Sequence, residues 1–310
     1  MLTKESIERG IRDISQQFGE WSSDIPLPHD IWTKGNQRTP HTRLKRIVQI
    51  AQDLCQKPLS QCRVLDLGCL EGMFSIEFAL HGADTVGIEI RESNIRKAIF
   101  CKEALKLVNL NFRQGDVRHI SEASHGRFDI VVCSGIFYHL TAEDAFKLIS
   151  SMFSITDRLV IIDTHVALRG RKKVIIGGNV YYGDAYQEHS QSATQDQKSR
   201  RLWASWDNPT SFWFTRPSLI NMLNRAGFSS VYENFVPLHK NSGKPGLECI
   251  DRCTLVAVKD KRCALLTSPA ANNLEEAWPE NSLSYSRTGG RLRILFHRIL
   301  LALRHRPPRT

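Results

Sequence analysis

Short apolar runs alternate with stretches of helical periodicity along most of the chain. Seven such runs predict strands: Arg63–Leu67, Thr85–Glu89, Val108–Arg113, Phe128–Ser134, Arg158–Ile162, Ser230–Val236 and Cys253–Val258. Between them, apolar residues recur every three or four positions, which predicts helices. This alternation is typical of a parallel sheet covered by helices on both faces. We therefore predict an α/β protein with a doubly wound, seven-stranded sheet whose last strand is antiparallel.

The pattern changes outside these strands and divides the chain. Helical periodicity over residues 3–18 and 41–56 predicts a helical N-terminal segment at 1–60. Residues 61–260 hold the predicted sheet and are interrupted at 166–214 by a long polar insertion with interleaved aromatic residues. Because long insertions in compact domains are usually functional lids or disordered segments, and the aromatic residues argue against disorder, we expect a substrate cap there.

The C-terminal segment carries most of the positive charge. After a polar linker at 261–290, residues 291–310 predict a basic amphipathic helix, suited to an anionic membrane surface or to a protein partner. Residues 281–310 contain seven arginines and no acidic residue, whereas the formal net charge of the whole chain is +10. The sheet domain is therefore close to neutral, which disfavours a nucleic acid as partner.

No targeting sequence, membrane span or metal motif is evident in the sequence. Residues 1–10 are polar, and no apolar run approaches the ~18 residues of a membrane span. We expect a cytoplasmic protein, with peripheral membrane association open through the basic helix. The eight cysteines include no C-x-x-C pair, so we expect reduced, mostly buried thiols and no metal site.

A strand, a glycine turn and a helix N-terminus follow one another at Val64–Gly72. Gly68 can adopt a positive φ and has no Cβ, so the backbone there can approach a ligand closely, and Gly72 gives the same freedom where the helix begins. This layout suits a nucleotide-like ligand. Asp66 and Glu71 flank the turn and would repel a pyrophosphate. We therefore predict a ligand with an ammonium group, bound by Asp66 or Glu71.

Acidic residues end the next two predicted strands. Glu89 closes the second strand, where an acid is placed to accept both hydroxyls of a ribose; the alternative is a solvated strand end. Asp116 follows the third strand, where it could accept from the amine of an adenine, cap a helix or form an Asx turn. The order of these features favours a nucleoside ligand. A dehydrogenase is a minor alternative, because G-x-G-x-x-G is not present.

Four successive segments resemble the motifs of class I S-adenosylmethionine-dependent methyltransferases: Val64–Gly72, Gly87–Glu89, Gly115–Val117 and Phe128–Cys133. The common pattern of that family has glycine where this chain has Leu70. The resemblance covers residues 60–165 well and implies a Rossmann-like fold with S-adenosyl-L-methionine as the cofactor. With the strand-end chemistry it implies ten cofactor-binding residues: Asp66, Gly68, Cys69, Glu71, Gly72, Glu89, Asn94, Asp116, Val117 and Ser134.

Side chains that can act as acids, bases or hydrogen-bond partners follow the fourth and fifth predicted strands, at the edge where ligands bind in open α/β sheets. The predicted catalytic residues are Tyr138, His139, Asp163 and His165. An imidazole can take a proton near neutral pH, and Asp163 could orient either histidine or act as the base itself. The alternatives are that His139 caps the following helix and that Asp163 belongs to a polar strand end in solvent.

Aromatic residues outside the sheet predict the acceptor site. Trp32 lies in a segment that is too polar for a core and too aromatic for a plain linker. In methyltransferases of this architecture, such an N-terminal segment often folds over the cofactor and the substrate. The insertion at 166–214 supplies the other candidates. The predicted substrate-binding residues are Trp32, Tyr181, Trp206, Asn208 and Trp213.

Three functions fit these features. The first is O-methylation of a small-molecule or sugar-type acceptor, which needs a base. The second is tRNA modification, because the aromatic N-terminal segment, Ile136–His139 and the long insertion also resemble the branch that contains the tRNA wobble-uridine carboxymethyltransferase. The third is a non-catalytic S-adenosylmethionine-binding module that regulates a partner, which the set of predicted cofactor residues disfavours.

The resemblance to the tRNA-modifying branch implies a specific cofactor contact. In that branch a tyrosine at the position of Tyr138 holds a carboxylated cofactor together with a lysine and an arginine. In this chain Asp207 stands where the arginine is expected. Ordinary S-adenosylmethionine is therefore the predicted cofactor, and a small-molecule acceptor is the predicted partner.

Overall fold

The computed structural model describes residues 2–35, 42–234 and 251–260. Within these ranges the helices are α1 (Lys4–Phe18), α2 (Thr42–Leu54), α3 (Met73–Leu80), α4 (Glu92–Leu105), α5 (Glu122–His125), α6 (Ala142–Ile155), α7 (Gln195–Ser199) and α8 (Arg216–Ala226). The strands are β1 (Pro26–Leu27), β2 (Ile31–Trp32), β3 (Arg63–Leu67), β4 (Asp84–Glu89), β5 (Leu110–Gln114), β6 (Phe128–Ser134), β7 (Thr156–His165), β8 (Lys172–Ile176), β9 (Asn179–Gln187), β10 (Thr210–Phe214), β11 (Ser230–Asn234) and β12 (Arg252–Val258).

Seven strands form the central sheet in the order β11-β12-β7-β6-β3-β4-β5. The five strands at one side of this order, β7, β6, β3, β4 and β5, are parallel to one another, whereas β12 runs antiparallel to both β7 and β11. This confirms the predicted seven-stranded sheet with an antiparallel last strand. The winding reverses beside β3, with β4 on one side and β6 on the other, and such switch points are where doubly wound sheets bind ligands.

Three apolar clusters hold the helices on the sheet. Leu65 of β3 packs with residues of α6 and α8, whereas its neighbour Val64 packs with residues of α2 and α3. Burial on both faces explains why β3 and β6 are continuous apolar runs. The third cluster joins Ile7 of α1 and Trp21 and Ile25 of the following segment to α3 and α4. The N-terminal segment is therefore fixed beside the first glycine turn.

The insertion at 166–214 contains a small antiparallel sheet in the order β10-β9-β8 and the short helix α7. Tyr181 of β9 is fully buried in the same apolar cluster as α6 and α8, which anchors this sheet on the domain. The division into domains stays a prediction. The linker at 261–290 and the basic helix at 291–310 lie outside the described residues.

The described part of the chain holds no helix that is long and apolar enough to cross a membrane. The six cysteines within it are buried and free of disulfides, and Cys55 and Cys62 lie closest, with their sulfur atoms 3.0 Å apart. No cluster of His, Cys, Asp and Glu side chains in the same ranges could hold a metal ion.

Candidate active site

A cavity of about 460 Å³ lies at the carboxyl ends of β3, β4, β5 and β6. Its walls also include Ser22–Asp24 from the N-terminal segment and Leu202–Asn208 from the insertion. Eleven of the predicted site residues line it: Asp66, Gly68, Cys69, Glu89, Asp116, Val117, Ser134, Tyr138, His139, Trp206 and Asn208. The fold thus brings together most of the predicted cofactor residues and part of each of the other two sets.

Asp66 and Glu89 present buried carboxylates to this cavity. Asp66 accepts a hydrogen bond from Ser75 Oγ at 2.6 Å, and burial raises its pKa to about 6. Glu89 accepts the backbone N–H groups of Leu70 at 3.1 Å and Arg91 at 2.8 Å. A carboxylate offers about four acceptor sites. These two bonds therefore orient Glu89 and leave lone pairs for a ligand, as two ribose hydroxyls require.

Gly68 and Leu70 shape the turn between β3 and α3. Gly68 has a φ of +66°, and a Cβ there would lie 3.0 Å from the Cβ of Ile136, so the position favours glycine. Leu70 has a φ of +53°. The glycine of the family pattern would adopt this conformation freely, whereas a leucine stores about 1–2 kcal/mol of strain. The bond from Leu70 N–H to Glu89 holds the strained turn in place.

Asp116 both lines the cavity and caps a short 3₁₀ turn. It accepts the backbone N–H of Arg118 at 2.9 Å, so the capping alternative is confirmed. The Arg118 guanidinium also donates to Asp116, at 2.8 Å from Nε, and to Asp207, at 2.7 Å from Nη2. Arg118 therefore ties the insertion to the rim of the cavity, and this pairing explains the acidic residue at position 207.

Glu71 does not line the cavity, and its prediction as a ligand for an ammonium group was wrong. The side chain is fully buried and accepts the Lys97 ammonium at 3.1 Å. It also accepts the backbone N–H groups of Ser22, at 2.9 Å, and Ser23, at 2.6 Å. The Glu71 carboxylate is thus paired with an ammonium group of the protein itself. Through its bonds to Ser22 and Ser23 it also fastens the N-terminal segment to the turn.

Two further predicted cofactor residues lie outside the cavity lining. Gly72 begins α3 with a φ of +86°, and a Cβ there would lie 2.5 Å from the ring of Phe112. Its missing side chain therefore serves helix packing. Asn94 is buried within α4 and is likewise absent from the wall of the cavity. Its Nδ2 has no hydrogen-bond partner within the described residues, and α4 begins only three residues after Glu89 at the tip of β4, so the predicted contact of Asn94 with a nucleoside stays a prediction.

His139 forms a hydrogen-bonded pair with Glu188, a residue that the sequence analysis missed. His139 lines the cavity, and its Nδ1 lies 2.9 Å from Glu188 Oε1. Glu188 also accepts from Ser211 Oγ at 2.7 Å and from Ser205 N–H at 3.1 Å. Burial alone would raise the pKa of Glu188, but these hydrogen bonds hold it below the usual value. No local spacing signals this pair, because Glu188 follows β9 in a polar stretch.

Asp163 and His165 do not line the cavity. Asp163 is buried and accepts from Arg252 Nε at 2.7 Å, from Arg43 Nη1 at 3.2 Å and from Thr254 Oγ1 at 2.7 Å. The prediction that it acts as a base or orients a histidine was wrong, because two guanidinium groups and a hydroxyl use its oxygens. His165 stacks on Trp213, with ring centroids 4.8 Å apart, and its ring centroid lies 4.7 Å from that of Tyr138, which lines the cavity, so its predicted catalytic role stays a prediction.

A cationic group meets Tyr138 at one end of the cavity. Lys34, Arg43 and Arg252 also line the cavity, and neither of the two arginines was predicted as a site residue. The Arg252 guanidinium lies 5.7 Å from the centre of the Tyr138 ring. Burial raises the pKa of Tyr138 even though both guanidinium groups oppose that shift. Arg252 begins β12 and Arg43 lies in α2, so it is the tertiary fold that brings both to the cavity. No local pattern in the sequence indicates this.

The predicted substrate residues divide into two groups. Trp206 lines the cavity and lies 5.5 Å below the Arg91 guanidinium, and Asn208 donates to the carbonyl of His139 at 3.1 Å. The other three do not line the cavity, and the predicted contacts of Trp32 and Trp213 with a substrate stay predictions. Trp32 is half-buried in β2, Tyr181 is fully buried, and Trp213 stacks between His165 and Tyr186.

Several buried polar atoms on the cavity wall lack a hydrogen-bond partner within the described residues. They are Ser22 Oγ, both carboxylate oxygens of Asp24 and Ser134 Oγ. Unsatisfied buried groups are rare in proteins. Together with the carboxylates of Asp66, Glu89 and Asp116, they form an acceptor-rich site that fits the hydroxyl and amine groups of S-adenosylmethionine. A phosphate ligand would be repelled by the same set.

A family model described as a methyltransferase domain matches residues 58–204. The O-antigen chain terminator bifunctional methyltransferase/kinase WbdD of Escherichia coli is 27% identical over 138 residues, which are 43% of this chain and 20% of that protein. The ubiquinone biosynthesis O-methyltransferase of Acinetobacter baylyi is 32% identical over 78 residues, which are 25% of this chain and 33% of that protein. The matched region thus spans a third or less of these relatives.

Solved structures show the same fold over most of the chain. The N-terminal domain of EvdMO1, crystallised in the presence of SAH and D-fucose, gives a TM-score of 0.61 at 21% identity, covering 82% of this chain and 97% of that chain. The longer EvdMO1 structure gives a TM-score of 0.54 at 20% identity, covering 81% and 47%. These likenesses extend the fold beyond residues 58–204, to parts of the chain that the family model does not match.

Proposed function

We propose that this chain, in which residues 58–204 match a methyltransferase domain, is a class I S-adenosylmethionine-dependent methyltransferase that methylates a hydroxyl group of a small-molecule or sugar-type acceptor. The observation that carries the proposal is the 2.9 Å hydrogen bond between His139 Nδ1 and Glu188 Oε1, because His139 shares its cavity with Asp66 and Glu89. A hydroxyl acceptor needs a base at this place. An acceptor amine would need less.

The cavity wall offers a place for each part of the cofactor. When bound, S-adenosylmethionine supplies an electrophilic methyl group on a sulfonium. Glu89 would hold the ribose hydroxyls and Asp116 the adenine amine, while Gly68 lets the backbone approach the ligand closely. Ser134 Oγ, which has no other partner in the described ranges, is available for a further hydrogen bond.

Glu188 prepares His139 to take a proton. Because the pKa of Glu188 is held below its usual value, it is a carboxylate at neutral pH and accepts from an Nδ1–H group. The described residues provide no hydrogen-bond partner for His139 Nε2, which is therefore available to the proton of an acceptor hydroxyl. His139 would take that proton as the acceptor oxygen bonds to the methyl carbon, while the bond from that carbon to the sulfonium breaks and its electron pair stays on sulfur, which leaves as a neutral thioether. Alignment in an enclosed cavity contributes further to the rate.

The names of the relatives and the cap support the acceptor class. One relative is named as an O-methyltransferase, and the EvdMO1 domain was crystallised in the presence of D-fucose. Trp203 and Trp206 line the cavity, and Trp203 is 71% exposed, so an aromatic surface meets an acceptor as it enters. Flat aromatic surfaces beside polar groups suit a ring that carries hydroxyls.

The test is methyl transfer to a panel of hydroxylated acceptors by wild type, His139→Gln and Glu188→Gln. We expect a loss of about 10²-fold or more for His139→Gln, which is the usual contribution of a general base. Glu188→Gln should also lower kcat/KM, because the imidazole then loses the carboxylate that orients it. The exposed His119 and Glu143 give matched controls, His119→Gln and Glu143→Gln.

Unchanged turnover in His139→Gln would contradict the role of the His139–Glu188 pair. Binding of S-adenosylhomocysteine, measured by calorimetry, should be preserved in His139→Gln and in Glu188→Gln. Loss of that binding would instead indicate a disturbed fold. Transfer to amines with no transfer to any hydroxyl would contradict the acceptor class and leave the cofactor assignment intact.

One observation favours a second candidate, transfer from a carboxylated S-adenosylmethionine as in the tRNA wobble-uridine branch. That cofactor needs a tyrosine, a lysine and an arginine, and Tyr138, Lys34 and Arg252 line one cavity. The argument from Asp207 against such a site therefore loses its force. The variant Lys34→Gln decides between the candidates. It should weaken the binding of a carboxylated cofactor about tenfold or more and leave the binding of S-adenosylmethionine unchanged. Equal effects on both ligands would argue against this second candidate.

A further inference from the structure

We propose that Asp24, in the N-terminal segment, binds the α-ammonium group of the methionine part of the cofactor. The inference rests on the proposed function, since it takes S-adenosylmethionine as the ligand, and it assigns a binding residue outside the matched methyltransferase domain. From the sequence, Asp66 or Glu71 was expected to hold the ammonium. The structure engages Glu71 with Lys97 and supplies a different carboxylate.

Asp24 carries a buried carboxylate that accepts no hydrogen bond from the described residues. Its side chain lines the cavity and is 5% exposed, and neither of its oxygens has a hydrogen-bond partner in the described part of the chain. An uncompensated buried carboxylate is unfavourable by several kcal/mol. A ligand that brings a positive charge and N–H donors would remove this penalty, and an ammonium group has three such donors.

The backbone on both sides of Asp24 is fixed in place. Thr33 Oγ1 donates to the Ser23 carbonyl at 2.7 Å and accepts from Ile25 N–H at 2.9 Å. Glu71, in the turn after β3, accepts the Ser23 N–H at 2.6 Å. Asp24 is therefore held against the turn that begins α3, and its place does not depend on a ligand.

Asp24 differs from the other acids on the cavity wall. Asp116 and Asp207 are paired with Arg118, and Glu89 is oriented by two backbone N–H groups. Glu89 ends β4 and Asp116 follows β5, so a nucleoside bound there leaves its amino-acid part for the turn after β3, beside Asp24. Among the described carboxylates of this wall, Asp24 is thus the one that lacks any donor and lies where the ammonium would be.

The experiment is calorimetric titration of the full chain, as wild type, Asp24→Asn and the exposed control Asp13→Asn, with three ligands. S-adenosylhomocysteine carries the ammonium, S-adenosylmethionine adds the sulfonium, and 5′-methylthioadenosine lacks the amino-acid part. We expect Asp24→Asn to weaken the first two equally, by about 10–100-fold, as for a lost charge-assisted hydrogen bond. Binding of 5′-methylthioadenosine should change by less than about twofold. Asp24→Asn should also raise the Tm of the ligand-free protein, because it removes an unpaired buried charge.

Each other outcome overturns the inference in a recognisable way. Unchanged affinity for S-adenosylhomocysteine in Asp24→Asn would show that the ammonium binds elsewhere and would leave the proposed function standing. Equal weakening of all three ligands would make Asp24 a structural residue. A larger loss for S-adenosylmethionine than for S-adenosylhomocysteine would place the sulfonium, not the ammonium, beside Asp24. Absence of binding by the wild type would refute the proposed function itself.

Discussion

The ion pair between Glu71 and Lys97 should dominate the attachment of the N-terminal segment. Glu71 is fully buried and Lys97 is 3% exposed, and the carboxylate also accepts Ser22 N–H and Ser23 N–H. Breaking one side of a buried pair costs about 3–5 kcal/mol. Lys97 keeps a hydrogen bond of 2.6 Å to the carbonyl of Glu20. We therefore expect Glu71→Gln to lower the free energy of unfolding by about 3 kcal/mol, at the lower end of that range.

A double-mutant cycle with Lys97→Met measures this interaction. Urea unfolding is followed by tryptophan fluorescence, to which Trp21 contributes because its ring lies 5.6 Å from the Lys97 ammonium. Lys97→Met alone leaves the Glu71 carboxylate buried without its cationic partner. The loss of unfolding free energy in the double variant should therefore be about 2 kcal/mol smaller than the sum of the losses in the two single variants. The half-exposed Glu77 on α3 provides the control Glu77→Gln, with an expected change within about 0.5 kcal/mol.

A loss below about 1 kcal/mol in Glu71→Gln, or a coupling energy near zero, would refute this reasoning. Either result would mean that the Glu71–Lys97 pair contributes little to the attachment of the N-terminal segment. A preserved affinity for S-adenosylhomocysteine in a destabilised Glu71→Gln would show that the segment stabilises the fold without forming the site.

Two further substitutions test the turn after β3. Asp66→Asn should raise the free energy of unfolding by up to about 3 kcal/mol at pH 8, because the pKa of about 6 in the folded protein lies above the ~3.9 of an unfolded chain. The gain should disappear below pH 4, where both states are protonated, and a gain independent of pH would contradict the assignment. Gly72→Ala should lower the free energy of unfolding by about 2 kcal/mol or more, since a Cβ would strike Phe112, whereas Gly178→Ala, also at positive φ but in open space, should lose only about 1 kcal/mol. Thermal unfolding compares the two, and equal losses would refute the packing argument.

The sheet was predictable because its signals are local. A strand buried on both faces is a continuous apolar run, so Arg63–Leu67 and Phe128–Ser134 were located correctly from the sequence. The carboxyl ends of neighbouring parallel strands lie side by side. That geometry is why Asp66, Glu89 and Asp116, which are distant in sequence, were expected on one cavity wall and are found there.

The partners of polar side chains were not predictable, because they are set by tertiary contacts. Glu188 lies 49 residues from His139, and no periodicity links them. Asp163 was predicted to follow a strand that ends at Ile162, but it lies within β7, and the arginines that neutralise it come from α2 and β12. Tyr181 had a usable signal. Residues alternate between the two faces along β9, so Tyr181 and its neighbour Tyr182 could not both face a substrate.

The most direct test of the account is calorimetric titration of the wild type and Glu89→Gln with S-adenosylhomocysteine. The exposed Asp84, at the start of the same strand, provides the control Asp84→Asn. The account predicts a dissociation constant for the wild type on the order of 10 μM, a value typical of enzyme ligands. Glu89→Gln should weaken binding at least about tenfold, and the control should not. No binding by the wild type, or equal binding by all three proteins, would contradict a nucleoside site at the end of β4.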